Sequence, residues 1–260
     1  MTGDCHVRFR ERLGGKLPGP TRLAIVTGGA SGIGLATVQF FAMKQVKVIA
    51  VDLNPQVDSI VKTIDSCYIG IPGDLTEQTF RQHVVDTTIQ TYGRIDILVN
   101  SAGVAILNKA ELITEDQWDK TMNINLKASF MIAQLVGRRM ISQGEGSIVN
   151  ISSQASIVAL DEHVAYCASK AAIVSMSQVM AYEWGNHGIR VNCISPTIVM
   201  TELGRNAWAG KKGEDMKLQI PAQRFAETDE IAASIAFLCS NAAGMITGSN
   251  LIIDGGYTAR

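Results

Sequence analysis

The chain has 260 residues, 47% of them apolar, and a formal net charge of −1. That length buries a core without disulfide or metal staples, and a near-neutral chain with no basic stripe argues against a nucleic-acid partner. No apolar run approaches the roughly 20 residues of a membrane span and the N-terminus has no apolar signal core. The five scattered cysteines, with no CxxC pair, fit reduced thiols better than a disulfide framework or zinc site, so no metal is expected and the expected location is the cytoplasm.

Residues 1–21 are polar and aperiodic and read as a flexible N-terminal extension, its Arg8, Arg10, Arg12 and Lys16 being a solvated tail. Residues 22–260 read as a single dinucleotide-binding catalytic domain. Strands are predicted over 23–27, 46–52, 67–71, 95–100, 147–152, 189–195 and 250–254. They are rich in Val and Ile and apolar on both sides, as in the middle of a helix-covered parallel sheet. Helices are predicted over 32–44, 54–64, 77–92, 114–143, 163–187 and 228–240. Thr114 and Thr228, each followed by two acidic residues, read as N-caps. The alternation predicts an α/β chain: one Rossmann-type, doubly wound, parallel seven-stranded sheet with helices on both faces. Residues about 196–227, with Pro196, Gly204, Gly210, Gly213 and Pro221, break the rhythm and read as a substrate lid.

The first strand runs into Thr27-Gly28-Gly29-Ala30-Ser31-Gly32-Ile33-Gly34 and then a helix. Such a turn lets the backbone approach a pyrophosphate, and the helix end supplies unpaired N–H groups. The second strand ends at Asp52, whose carboxylate can accept from the ribose hydroxyls of NAD and would repel the 2′-phosphate of NADP; a plain capping role is the competing reading. Tyr166 and Lys170 are four apart in a predicted helix, so they share a face. Ser153 stands thirteen residues before Tyr166, just past the fifth strand.

These motifs together resemble the short-chain dehydrogenase/reductase family, over about residues 23–257. Residues 27–34 resemble its TGxxxGxG turn. Asp74 in Gly73-Asp74-Leu75 is similar to its adenine-contacting Asp, and Asn100-Ser101-Ala102-Gly103 to its NNAG motif, with Ser101 replacing the second Asn. Ser153, Tyr166 and Lys170 are similar to its catalytic triad, and Asn125 in Asn123-Ile124-Asn125-Leu126 to its fourth member, which holds a relay water. The resemblance implies NAD as cofactor, contacted by Gly28, Ser31, Gly32, Ile33, Gly34, Asp52, Asp74, Leu75, Asn100, Ala102, Gly103, Tyr166 and Lys170. To these it adds Pro196, Thr197, Val199 and Thr201 after the sixth strand, where Ser195-Pro196-Thr197 stands in place of Asn-Pro-Gly.

The chemistry needs these residue types. Alcohol oxidation removes a proton from oxygen as hydride leaves carbon. A free Tyr, with a pKa near ~10, becomes a usable base only beside positive charge such as a Lys ammonium. A Ser hydroxyl can polarise the substrate oxygen.

The run Pro196-Thr197-Ile198-Val199-Met200-Thr201, His163 before Tyr166, and Asn206-Ala207-Trp208 resemble L-xylulose reductases and NAD-dependent polyol dehydrogenases. That implies oxidation of a small polyol to a ketose, with Ser153, Gln154, His163, Tyr166, Asn206 and Trp208 around the substrate. Glu162 is a further candidate, and Trp208 reads equally as a packing residue. A homotetramer is implied in the same way. The alternatives are a 3-oxoacyl-carrier-protein reductase, disfavoured by Asp52 and the neutral charge, and a non-catalytic NAD-binding sensor or scaffold.

Overall fold

The computed structural model describes residues 22–259; the extension assigned to 1–21 lies outside the described residues. Seven parallel strands form one sheet in the order β3-β2-β1-β4-β5-β6-β7. They are β1 Leu23–Thr27, β2 Lys47–Asp52, β3 Ile69–Pro72, β4 Ile97–Asn100, β5 Gly146–Ile151, β6 Ile189–Pro196 and β7 Asn250–Ile253. Between them run α1 Gly32–Met43, α2 Val57–Lys62, α3 Gln78–Tyr92, α4 Glu115–Met122, α5 Ser129–Gln143, α6 Val164–Trp184, the short α7 Glu202–Ala207 and α8 Lys211–Lys217, and α9 Thr228–Cys239.

Alternation along each strand feeds two cores. On β1, Ala24 and Val26 pack with Val38 and Phe41 of α1 and Ile231, Ile235 and Leu238 of α9. Ile25, pointing the other way, packs with Val84 of α3, Ile132 and Val136 of α5 and Met180 of α6. Strands apolar on both sides are therefore the central strands of a covered sheet. Strand order reverses between β1 and β4, so their carboxyl ends open the crevice where such sheets hold ligands.

Several local readings change. The helix predicted over 114–143 is not uniform: Asn123–Ala128 forms a π-helical turn between α4 and α5. Thr114 caps α4 as expected, its hydroxyl accepting from the Gln117 N–H while Gln117 answers the Thr114 N–H. Thr228 is not a cap. The N-cap is Glu227, whose N–H donates to the Glu230 carboxylate at 2.9 Å, so Thr228 is the first helical residue. The helix predicted from 54 begins at Val57, because Asn54 spends its side chain on the Gln56 N–H in a turn. Among the described residues no helix is long and apolar enough to cross a membrane.

Candidate active site

The crevice between β1 and β4 is bordered by the glycine turn. Gly28 has φ +67° and its α-carbon lies against the backbone of Ala102; a Cβ there would come 3.0 Å from the Ala102 nitrogen. A Cβ on Gly34 would fall 2.0 Å from the Gly28 carbonyl oxygen, so only glycine lets α1 close on the turn. Thr27, the register partner of Asn100, accepts from the N–H groups of Ser101 and Ala102 at 3.1 Å each and joins the two turns. Ser31 is the N-cap of α1 and is exposed, with no side-chain cap bond, while Ile33 packs into the core beneath. The first turn of α1 thus presents N–H groups toward the crevice mouth.

Asp52 holds backbone on both sides: it accepts from Ala30 N–H at 3.0 Å and Asn54 N–H at 2.9 Å. Its anchoring role and its place at the end of β2 coexist. Asp74 is exposed and accepts from Thr76 N–H at 2.8 Å; Leu75 packs into the core. Beyond β6, Thr197 is buried with its hydroxyl unpartnered. The Val199 side chain belongs to the core cluster, so only its backbone faces elsewhere. The Thr201 methyl approaches Gly32, within 3.2 Å of where a Cβ would stand, and its hydroxyl caps α7 by accepting from Gly204 N–H at 3.0 Å.

Catalytic candidates come from three separate elements. Ser153 stands two residues past the end of β5 and its hydroxyl accepts from Ala155 N–H at 3.1 Å. Tyr166 and Lys170 lie on one face of α6, the Lys170 Nζ 5.5 Å from the Tyr166 ring centre. Lys170 is 5% exposed and its ammonium donates to the Ile151 carbonyl at 2.8 Å. Burial pushes its pKa down from 10.5 to about 8. Burial likewise raises the pKa of Tyr166, while the facing Ser153 hydroxyl pulls it the other way.

Asn125 is fully buried in the π-helical turn. Its Oδ1 accepts from Val104 N–H at 2.8 Å, and its Nδ2 donates to Val104 C=O at 2.9 Å and Ser169 Oγ at 3.1 Å. The extra residue of the π turn aims this amide at the segment after Gly103. A Cβ on Gly103 would lie 3.2 Å from Asn125 Oδ1 and 3.6 Å from Lys170 Nζ, which places that glycine between them.

Sequence reading missed the serines that hold this arrangement. Ser152 Oγ donates to Lys170 C=O at 2.8 Å, tying α6 to the end of β5. Ser169 Oγ donates to Tyr166 C=O at 2.8 Å while receiving the Asn125 amide, tying α6 to the π turn. The available signal at Ser169 was a hydroxyl on the apolar face of a helix, where a partner is obligatory.

The substrate candidates separate. Gln154 is 3% exposed and its Oε1 has no partner, a buried acceptor beside Ser153. His163, at the N-cap of α6, stands edge-on to Tyr166 with ring centres 5.8 Å apart and its Nδ1 on Asp161 C=O. Glu162 is exposed, at φ +64°. Asn206 is exposed on α7. Trp208 turns into a cluster with Met216, Ile220 and Phe225, 6.0 Å from the Phe225 ring, so packing is what the structure shows for it.

A family model described as enoyl-(acyl carrier protein) reductase matches residues 28–258. An NAD-dependent glycerol dehydrogenase of Listeria innocua is 54% identical over 240 residues, covering 92% of this chain and 94% of that one. A D-threitol dehydrogenase of Mycolicibacterium smegmatis is 48% identical over 261 residues, covering 99% and 98%. The crystal structure of gox2181 superposes with a TM-score of 0.89 at 34% identity, over 97% of this chain and 100% of that one.

Proposed function

The chain belongs to the short-chain dehydrogenase/reductase family and acts on CH–OH groups, and from that premise we propose that it oxidises a small polyol at a secondary carbinol to a ketose with NAD. The observation that carries the reading is the meeting of Ser153, Tyr166 and Lys170 at the carboxyl ends of the strands, beside a glycine turn and an Asp-terminated β2.

The residues present fit the cofactor. The glycines of the Gly28–Gly34 turn let α1 close on it, so that the N–H groups of α1 would face a pyrophosphate, and Asp52 at the end of β2 would meet the adenosine ribose. Thr197 Oγ1, buried and unpartnered, offers a hydrogen bond near the nicotinamide side. When bound, NAD accepts the hydride from the carbinol carbon.

The chain supplies the proton chemistry. Ser153 Oγ holds the substrate oxygen, and Tyr166 Oη takes its proton as that oxygen becomes a carbonyl. Lys170 favours the phenolate by its charge, and a pKa near 8 lets its Nζ exchange protons near neutral pH. Both amide hydrogens and Oδ1 of Asn125 are committed to protein partners, so its side chain fixes the turn after Gly103. Gln154 Oε1 receives a second substrate hydroxyl, with His163 beside it. Residues 196–227 close over the site as a lid, and the protein works as a cytoplasmic homotetramer. Neither an acyl-carrier substrate nor a non-catalytic scaffold is favoured, since the relatives named above are dehydrogenases of polyols.

Absorbance of NADH with a panel of C3–C6 polyols tests this. Turnover of glycerol, threitol or a pentitol with NAD well above NADP is expected. No polyol turnover, together with efficient reduction of acetoacetyl thioesters, would overturn the substrate assignment.

A further inference from the structure

One level below the reactive edge, a row of polar side chains crosses an otherwise apolar sheet. Asn100, Asn150 and Cys193 are register partners on β4, β5 and β6, and all are at most 3% exposed. Asn100 Nδ2 donates to Asn150 Oδ1 at 2.9 Å and to Ser129 C=O at 3.1 Å. Asn150 Nδ2 donates to Ser177 Oγ at 2.8 Å. The Cys193 thiol, 3.0 Å from Ser177 Oγ, donates to the same atom. Ser177 Oγ–H in turn donates to Ile173 C=O at 2.7 Å. A hydroxyl has one proton and two lone pairs, and Ser177 uses all three.

The bonds run from β4 to β5 and from the sheet to the helices, and end on two helix carbonyls. Ser129 lies four residues beyond Asn125, and Ile173 three beyond Lys170. Around them lie Ile132, Val136, Ile148 and Met180, all apolar. Apolar residues at these places would pack at no desolvation cost. What the polar row adds is directionality. An apolar helix face can slide over a sheet with little penalty, whereas a slide of α6 by one residue leaves Asn150 Nδ2 and the thiol without acceptors.

We propose that Ser177, backed by Asn150 and Cys193, is a positioning residue that fixes the height and rotation of α6 on β5 and so the placement of Tyr166 and Lys170 against Ser153. The inference rests on the catalytic assignment above for its consequence, but the clamp itself can be read without turnover.

The test compares Ser177→Ala with Ile235→Val, a matched loss of packing in the opposite core under α9. In the cofactor-free proteins, hydrogen exchange over residues 164–172 should quicken about tenfold in Ser177→Ala beyond any change in α1, and not in Ile235→Val. In turnover, kcat should fall about tenfold with KM for NAD within about twofold. Ser177→Thr, which keeps the hydroxyl, should restore most of both. If Ser177→Ala does not fold, Cys193→Ala removes one of the two donors and should quicken the same peptide about threefold. Exchange that rises equally in α1 and α6, or matches Ile235→Val, would overturn the clamp. A wild-type protein inactive on every polyol would sink the function proposed above, and the exchange result would still decide the clamp.

Discussion

The proposed catalytic row and the proposed lid over residues 196–227 are built in opposite ways. Asn125, Ser153 and Lys170 are 0–9% exposed, and the helix that carries Tyr166 and Lys170 is tied to β5 and the π turn through Ser152 and Ser169. The lid has two helices of six and seven residues and a separate cluster of Met216, Ile220 and Phe225. It joins the frame through the Thr197 N–H on Ile253 C=O and the Ala222 N–H on Gly255 C=O, while the Val199–Ala226 bridge closes its own base. Gly210 (φ +69°) and Gln223 (φ +55°) bend its chain in left-handed conformations. Proton transfer tolerates little displacement of its groups, and the residues proposed for it are overdetermined; the proposed lid is held by fewer ties and a small cluster of its own.

Four substitutions sharpen that contrast. Tyr166→Phe removes the atom proposed to take the proton and should lower kcat by about 10²–10⁴-fold while leaving NADH affinity within a few-fold. Turnover near that of the parent enzyme would show that another group is the base. Lys170→Met addresses the cost of the buried ammonium. The folded pKa of Lys170, about 8, lies below its ordinary 10.5, so the unfolded chain binds the extra proton between those values. The penalty is fully present below about pH 8 and relieved as pH rises toward 10.5. At 1.36 kcal/mol per unit it is at most about 3 kcal/mol, so denaturant unfolding should find Lys170→Met the more stable at pH 7, with the gap closing by pH 10. A gap that widens with pH would contradict this.

The cofactor end responds more modestly. Asp52→Ser keeps a hydroxyl for the turn but removes the charge, and should raise the NADP/NAD ratio of kcat/KM about tenfold. An unchanged ratio would leave Asp52 as a backbone anchor for Ala30 and Asn54 alone. The lid should give the smallest effect. Trp208→Ala empties part of the cluster with Phe225 and should raise polyol KM about threefold, with NAD KM unaltered. A kcat loss as large as that of Tyr166→Phe would place Trp208 against the reacting atoms and erase the distinction between the two regions.

Much of this was legible in the chain. The seven strands stand within a few residues of their expected places because each is a short apolar run containing Ile and bounded by turn residues. The Gly28–Gly34 turn is readable because only glycine can be at the Gly28 and Gly34 positions, and the Tyr166–Lys170 pair because helical spacing is local. Errors fell where one residue's fate depended on its neighbours' side chains: Thr228 yielded the cap to Glu227, whose N–H the Glu230 carboxylate already held.

Other features belong to the tertiary structure. The π turn that aims Asn125 at Val104, the serines that pin α6, the Asn150–Ser177 bond across 27 residues, and the turning of Trp208 into the lid cluster leave no periodic trace. Periodicity and turn chemistry are written in neighbouring residues and fix which segments become strands, helices and phosphate turns. A buried hydroxyl or amide must find its partner wherever the fold brings one within reach, and that choice is made only when distant segments meet.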